Sequence, residues 1–130
     1  MASRLSEEDI GIFHAKSHGH LATLMQDGSP HVSPVWLDHR DGRVWVNTVE
    51  GRVKLANVRR DPRVAISVEA LDGSDTGVLI RGRVVEITHD GAKDHIDFLS
   101  EKYRGVAYQF HDPEHPRVLL KIEPEHVAYL

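Results

Sequence analysis

Four Asp-Gly pairs divide the chain into short apolar runs, and this division constrains the fold more than any other feature of the sequence. The pairs begin at Asp27, Asp41, Asp72 and Asp90. Asp-Gly favours tight turns between antiparallel strands, because glycine accepts the positive φ angles that such turns require. Runs rich in valine, isoleucine and leucine between turn signals are typical of strands. The chain is therefore expected to fold largely as a series of hairpins.

The apolar runs predict six strands and a few short helices. The strands are expected at 21–25, 31–37, 44–48, 64–68, 78–87 and 118–122, with 127–130 closing or extending the last one. Helices are expected after Ser6, after Gly51, and from Ala92 to Tyr103, where apolar residues recur at helical spacing. This order predicts a mainly β fold: a six-stranded antiparallel barrel with short flanking helices, as a single domain over 1–130. A β-sandwich is the alternative, although sandwiches usually contain more strands.

Two residues interrupt the predicted strands. Pro34 has no N–H group to donate to a strand ladder, which predicts an edge strand, a bulge, or a place that something other than a strand approaches. Gly82 lies inside the longest strand, and a glycine there predicts a bend or a close backbone contact, as at a barrel corner.

Composition limits the function classes. The net charge of -4 and the pI near 6.2 argue against general nucleic-acid binding. No apolar run reaches membrane-spanning length and the N-terminal residues lack a signal-peptide core, so we expect a cytoplasmic protein that does not bind membranes. The chain contains no cysteine, which rules out disulfides, thiolate metal sites and a cysteine nucleophile.

Ten histidines are many for this length, but they do not follow a recognised metal-ligand pattern. His111 and His115 lie four residues apart, yet Pro113 between them prevents the regular helix that would bring both rings to one metal ion. We therefore expect surface or hydrogen-bonded histidines rather than a metal or haem site.

A basic cluster follows the third strand of this acidic chain. Five of the 16 basic residues fall between Arg52 and Arg63. Gly51 permits a sharp turn into a helix start, where free backbone N–H groups and a partial positive charge attract anions. Arg52 and Lys54 add full charges beside these groups. The cluster predicts a site for the phosphate and acidic tail of a flavin-like cofactor, and the alternative is a solvated basic helix face.

Several short motifs, taken together in their order and spacing, carry a resemblance to a known family. They are Leu21-Ala22-Thr23-Leu24, Asp27-Gly28-x-Pro30, Val32-Ser33-Pro34-Val35-Trp36, Val46-Asn47-Thr48, Gly51-Arg52-x-Lys54-x-x-Asn57 and Arg60-Asp61-Pro62-Arg63-Val64. This set resembles the pyridoxamine 5′-phosphate oxidase-like proteins, and most of all the actinobacterial flavin/deazaflavin oxidoreductases that use coenzyme F420. The resemblance extends over nearly the whole chain.

The resemblance implies a split β-barrel homodimer with a cofactor in each of two grooves at the dimer interface. Arg52 and Lys54 match phosphate-binding positions, and Asn57 matches a polar position facing the cofactor tail. The strand along the tricyclic ring corresponds to Ser33, Pro34, Val35 and Trp36, and the strand beside it to Asn47 and Thr48. Arg60 is expected to reach the acidic tail.

The implied activity is hydride transfer from reduced deazaflavin to a conjugated or electron-poor small molecule. The proton donor is expected to be solvent or His31. The chain ends Val127-Ala128-Tyr129-Leu130, without the arginine and histidine that hold pyridoxine phosphate in the vitamin-making oxidases, so that reaction is not expected. The alternatives are an FMN-dependent oxidoreductase and a non-catalytic flavin- or haem-binding protein on the same fold.

Two further expectations follow. Arg59, Arg60 and Arg63 exceed what one FMN phosphate requires, which favours the longer acidic tail of F420, unless these arginines pair with Asp61 or solvent. Several apolar positions are expected to be too many for one small barrel to cover, which favours a homodimer. These positions are Val32, Trp36, Trp45 and Leu119.

Overall fold

The computed structural model describes residues 4–130 and shows a mainly β protein, as the sequence predicts. The helices are α1 (Glu7–His14), α2 (Val53–Arg60) and α3 (Ala92–Arg104). The strands are β1 (Ser17–Leu24), β2 (Pro30–Val35), β3 (Leu37–Arg40), β4 (Arg43–Val49), β5 (Arg63–Ala70), β6 (Gly77–Thr88) and β7 (Arg117–Tyr129). The ladders between neighbouring strands are antiparallel throughout.

The strand order β2-β1-β5-β6-β7-β4-β3 shows how the sheet curls into a split barrel. The two edge strands, β2 and β3, are separated along the chain by Trp36 alone. Since consecutive residues cannot be far apart, the two edges of the sheet must approach each other at this residue. The single strand predicted at 31–37 is therefore wrong, and residues 4–130 form a sheet of seven strands rather than six.

The break at Trp36 also explains the proline before it. Pro34 pairs with His20 of β1, and β2 has no neighbour on its other side within residues 4–130. An edge strand tolerates a residue that cannot donate to a ladder. The prediction of an edge position for Pro34 is confirmed.

Gly82 marks the irregular point in the ladder between β6 and β7. The strand register shifts between Arg81 and Gly82, where β7 passes through Pro124. A Cβ atom on Gly82 would collide with the backbone carbonyl of Glu123. The predicted close backbone contact is confirmed, and so is the extension of the last strand into 127–130, since β7 continues through this bulge to Tyr129.

The core fills the concave side of the sheet. The side chains that are fully buried include Phe13 of α1, Leu21 of β1, Leu37 of β3 and Ile80 of β6. Helix α1 packs on β3 and β5, and α3 packs on β4 and β7. Ser6 caps α1 through a reciprocal pair of bonds with Asp9, as the sequence pattern suggests. No helix within residues 4–130 has the length and apolar character needed to span a bilayer.

Candidate functional site

A groove of about 790 Å³ lies where β1, β2 and β4 meet the start of α2 and the last turns of α3. Six of the residues that the sequence analysis assigns to a cofactor line it: Pro34, Val35, Trp36, Asn47, Arg52 and Lys54. The fold therefore brings together residues from three separate motifs, which lie up to 20 positions apart in the sequence.

Three cations cluster at one part of this groove. Arg52 and Lys54 come from the start of α2, and Arg117 comes from the start of β7. Burial together with the nearby charges of Arg52 and Arg117 lowers the pKa of Lys54. Burial is also the main cause that lowers the pKa of Arg117, with Arg52 contributing. A place where nearby positive charges lower the pKa of a lysine and an arginine is one where an anion is favoured.

None of these three cations forms an ion pair with a carboxylate within residues 4–130. Partly buried cations are normally paired, because removing a charge from water is costly unless another group compensates it. The cluster thus has the donor set and the net charge of an anion site.

The backbone at the start of α2 adds to this site. Gly51 adopts a φ of 96°, a left-handed conformation that other residues rarely accept, and this turns the chain from β4 into the helix. Within the part of the chain that the structure describes, no side chain caps the N-terminus of α2. Its first N–H groups and the positive end of its dipole are left for a ligand or solvent.

Arg117 is a functional candidate that the sequence analysis missed. Its Nε atom donates to Asn47 Oδ1 at 2.7 Å, and its guanidinium lies 5.1 Å from the centre of the Tyr108 ring. Arg117 is 63 residues from Lys54 in the sequence, and it stands alone between a proline and a valine. The sequence places Arg117 at the start of a strand. This position indicates a role at the site only when it is known that the strand, β7, pairs with β4.

An aromatic wall forms another part of the groove. The Trp36 and Tyr103 rings stack with centres 5.3 Å apart and planes 5° from parallel. The Arg104 guanidinium lies 5.1 Å from the centre of the Trp36 ring. Tyr103 is itself held by contacts of its hydroxyl with Ser17 Oγ and the Leu37 amide, both at 3.4 Å. Both rings line the groove, and aromatic rings are a common contact for a planar ligand.

The remaining predicted residues lie outside the groove lining. Gly51 borders a smaller cavity of about 400 Å³, which shares Arg52, Tyr108 and Arg117 with the groove. Thr48 is buried in β4. His31 and Ser33 lie side by side on one face of β2, and His31 Nδ1 and Ser33 Oγ are buried with no hydrogen-bond partner within residues 4–130.

Asn57 and Arg60 form contacts within the protein instead. Asn57 is buried, and its amide donates to Thr23 Oγ1 at 3.0 Å. Arg60 donates to Asn57 Oδ1 and to the Leu24 carbonyl, each at 2.8 Å. These bonds tie α2 to β1, so both residues support the helix that carries the anion site. Their direct contact with a cofactor stays a prediction.

Two other arginines of the basic cluster have carboxylate partners. Arg59 forms two bonds of 2.8 Å to Glu50, and Arg63 forms one of 2.8 Å to Asp61. The alternative interpretation of these arginines as paired surface charges therefore fits the structure. They do not supply an argument for a longer acidic cofactor tail.

Comparisons with known proteins agree with the geometry. The structure resembles that of an F420 reductase, with a TM-score of 0.83, 25% sequence identity, and coverage of 95% of this chain and 98% of that one. It also resembles a conserved hypothetical protein from Mycobacterium tuberculosis, with a TM-score of 0.74, 29% identity, and coverage of 99% and 87%. A FAD-binding protein from Mesorhizobium loti shares the fold, with a TM-score of 0.69, 23% identity, and coverage of 96% and 94%.

The sequence itself matches the pyridoxamine 5′-phosphate oxidase family over residues 8–130. This match includes every strand and the whole of the groove lining, and it agrees with the split-barrel topology. The chain belongs to the pyridoxamine 5′-phosphate oxidase family.

Proposed function

We propose that the protein is a coenzyme F420-dependent oxidoreductase that reduces a conjugated or electron-poor small molecule. The observation that carries this proposal is an excess of unpaired positive charge in one groove. Five cations line it and none forms an ion pair within residues 4–130: Lys16, Arg52, Lys54, Arg104 and Arg117.

This charge exceeds what a single phosphate requires. Arg52, Lys54 and Arg117 suffice for one phosphate group, together with the free N–H groups of α2. Lys16 and Arg104 lie elsewhere along the groove: Lys16 lies in the connection between α1 and β1, and Arg104 is in the last turn of α3. F420 carries a phosphodiester followed by lactate and several glutamates, so its tail supplies further anions for these two cations. Support for a long acidic tail therefore comes from Lys16 and Arg104 rather than from Arg59, Arg60 and Arg63.

The chain's own groups fit the binding and orientation of such a cofactor. The cation cluster would hold the phosphate, and the Trp36 and Tyr103 side chains would contact the ring system. A bound deazaflavin supplies a hydride donor, and the protein contributes orientation and exclusion of water. Within residues 4–130, no aspartate or glutamate lines the groove, so no side chain of its lining adds negative charge that would oppose a polyanionic ligand.

The structural resemblance to an F420 reductase supports this proposal, because that likeness covers nearly the whole of both chains. FMN remains the competing cofactor, since the three-cation cluster alone satisfies its single phosphate. The two cofactors differ mainly in the charge beyond that phosphate. Binding measurements over a range of salt concentrations therefore distinguish them.

The test begins with the protein as purified and with titrations of F420 and FMN followed by fluorescence. We expect F420 to bind about tenfold or more tightly than FMN at low salt, and the preference to shrink toward molar salt as the tail contacts are screened. We further expect the reduced cofactor to be oxidised by a member of a panel of quinones, bilins and unsaturated lactones. Equal or reversed affinities would assign the protein to FMN, and a Soret band in the purified protein would indicate haem binding.

We also propose that the protein acts as a homodimer formed through the convex face of β2, β1, β5 and β6. Val32 and Leu79 are exposed there, with 64% and 38% of their surface accessible. Within residues 4–130, α3 packs on β4 and β7, whereas the exposure of Val32 and Leu79 shows that no helix covers these two side chains. His20 borders both this face and the groove, so a second copy seated here would reach the cofactor site.

The four apolar positions that were expected to favour a dimer differ in their surroundings. Leu119 was expected to be exposed, which is wrong: it is buried because it lies beside Asn47 on the face that α3 covers. Trp36 stacks on Tyr103, and Trp45 lies between Arg40 and Lys121. Among the four apolar positions, Val32 retains its role as an exposed apolar residue.

Light scattering tests the dimer. We expect a mass about twice the 14.6 kDa of one chain at micromolar concentration, and dissociation in Val32→Asp, because a buried unpaired charge at an interface is costly. Val106→Asp is the matched control, since Val106 is also exposed but lies in the segment after α3. A monomeric wild-type protein, or equal dissociation in both variants, would count against this interface.

A further inference from the structure

A chain of hydrogen bonds connects a buried carboxylate to the cation cluster of the groove. It begins at Asp38 of β3, passes through His95 of α3 and Asn47 of β4, and ends at Arg117 of β7. Asp38 and His95 are 2% and 3% exposed, so the first link is shielded from solvent. The four residues come from four different elements and are brought together by the fold alone.

The first link fixes the state of the Asp38 carboxylate. Although its burial acts to raise the pKa, bonds from His95, the Arg40 charge and the His39 amide together hold the pKa of Asp38 below its usual value. Arg40 Nε donates at 2.8 Å and the His39 amide donates at 2.8 Å. The carboxylate is therefore ionised and offers acceptors only.

The second link follows from matching donors to acceptors. His95 Nε2 lies 3.0 Å from Asp38 Oδ2, and a carboxylate oxygen requires a donor there. The hydrogen of a neutral imidazole is then on Nε2, which leaves a lone pair on Nδ1. Asn47 Nδ2 lies 3.3 Å from this Nδ1 atom and also donates to the Ala92 carbonyl at 2.8 Å.

The third link sets the direction of the Asn47 side chain. With both amide hydrogens directed at His95 and Ala92, the Oδ1 atom must point the other way. It accepts the Arg117 Nε–H bond at 2.7 Å. If Asn47 turned over, its amide hydrogens would face the guanidinium, which has donors only.

We propose that Asp38, His95 and Asn47 are positioning residues that hold the Arg117 guanidinium in the orientation that binds the anionic group of the cofactor. This inference rests on the proposed function for the identity of the anion. It assigns a role to His95, a buried histidine in a helix, and to Asp38, which the sequence patterns did not single out. A structural tie between α3 and the sheet is the competing explanation.

The first test needs no ligand. A hydrogen bond to Asn47 should protect the Arg117 Nε–H from exchange with water, giving a sharp side-chain signal in nitrogen-detected NMR spectra. Arg117→Lys, which has no Nε–H, assigns the signal. We expect His95→Gln to broaden or abolish it, because glutamine retains a donor for Asp38 but lacks the acceptor at the Nδ1 position that orients Asn47. A wild-type protein without a protected signal would overturn the proposal.

The second test compares FMN with riboflavin, which shares the ring but has no phosphate. We expect Asn47→Leu and His95→Gln each to weaken FMN binding by about fivefold, because they disorder a donor of a charge-assisted bond. We expect His95→Gln, which changes a residue outside the groove lining, to alter riboflavin binding by less than about twofold. A merely structural role would weaken both ligands alike. Retained thermal unfolding transitions in both variants exclude loss of the fold.

A double-mutant cycle completes the test. In an Arg117→Leu background, Asn47→Leu should cause no further loss of FMN affinity, because residues that act through one another are not additive. The same loss in both backgrounds would overturn the proposal. If the wild-type protein binds neither FMN nor F420 while His95→Gln still abolishes the Arg117 signal, the proposed cofactor is wrong and the positioning chain stands.

Discussion

The basic residues around α2 fall into two groups with opposite surroundings. Arg59 and Arg63 point to carboxylates, and their partners Glu50 and Asp61 raise the pKa values of both guanidinium groups. Lys54 and Arg117 face the groove, where burial and neighbouring cations lower their pKa values. The two groups share a sign of charge and differ in whether the protein compensates it.

Whether a cation is compensated within the protein helps to identify a binding site from charge. A cation that is paired with a carboxylate of the protein is already compensated, so an additional anionic ligand stabilises it little. An unpaired cation that is partly buried beside other cations is unfavourable until an anion arrives. Function commonly maintains such costly arrangements at the expense of stability.

The largest expected effect is on cofactor affinity. We expect Arg52→Leu, Lys54→Leu or Arg117→Leu to weaken FMN and F420 binding by about tenfold or more, because each removes a charge-assisted bond to the phosphate. Fluorescence titration of each cofactor measures the loss. Arg59→Leu and Arg63→Leu are the matched controls, since they remove the same charge from the paired group, and we expect them to change affinity by less than about twofold.

Equal losses in the two groups would show that affinity depends on general positive charge rather than on the groove. A loss of affinity confined to the Arg59 and Arg63 variants would indicate that the anion binds at the outer surface of α2. Either outcome contradicts the distinction between paired and unpaired cations.

A smaller effect is expected in the pH dependence of binding. The pKa of Lys54 lies below its ordinary value in the free protein, and a bound phosphate stabilises the charged ammonium. Binding should therefore be accompanied by proton uptake as the pH approaches this lowered pKa, and affinity should fall as the pH rises further. The decline cannot exceed about tenfold per pH unit for one proton.

Titrations above about pH 7.5, where the FMN phosphate is fully ionised, isolate this contribution. Lys54→Arg is the control, because arginine retains its charge throughout the accessible range. A decline of the same steepness in Lys54→Arg would assign the titration to another group.

The smallest effect concerns the stability of the cofactor-free protein, and here the two groups should differ in sign. Lys54→Met removes a partly buried charge that other cations repel, so we expect the free energy of unfolding to rise by up to about 1 kcal/mol. Arg59→Met removes an exposed ion pair, so we expect a slight decrease. Chemical denaturation of both variants without cofactor provides the comparison. A destabilised Lys54→Met protein would show that the groove lysine is not in an unfavourable environment.

Local sequence signals predicted most of the fold. Asp-Gly turns, strand composition and the Ser6 cap depend on neighbouring residues, and the elements they mark are present. The break at Trp36 was not predictable in this way, because residues 31–40 have strand composition on both sides of it. Residues 30–35 pair with β1 and residues 37–40 pair with β4. These pairings depend on the closure of the whole barrel, a long-range property that local sequence patterns do not reveal.

The site shows the same limit. The start of α2 was predicted because Gly51, Arg52 and Lys54 are adjacent in the sequence. Arg117 was missed because it reaches the cluster through the pairing of β7 with β4. Asn57 was assigned to the cofactor from its position in the motif, yet in the structure it faces Thr23 and Arg60, since a helix turns successive side chains to different sides.

The most direct test is a crystal structure of the protein with bound F420 or FMN, examined for the position of the phosphate. We expect phosphate oxygens within hydrogen-bond distance, about 3 Å, of Arg52, Lys54 and Arg117, with the ring system in the groove beside Trp36. A phosphate bound at Arg59, Arg60 or Arg63, with the groove cations contacting solvent, would contradict this expectation.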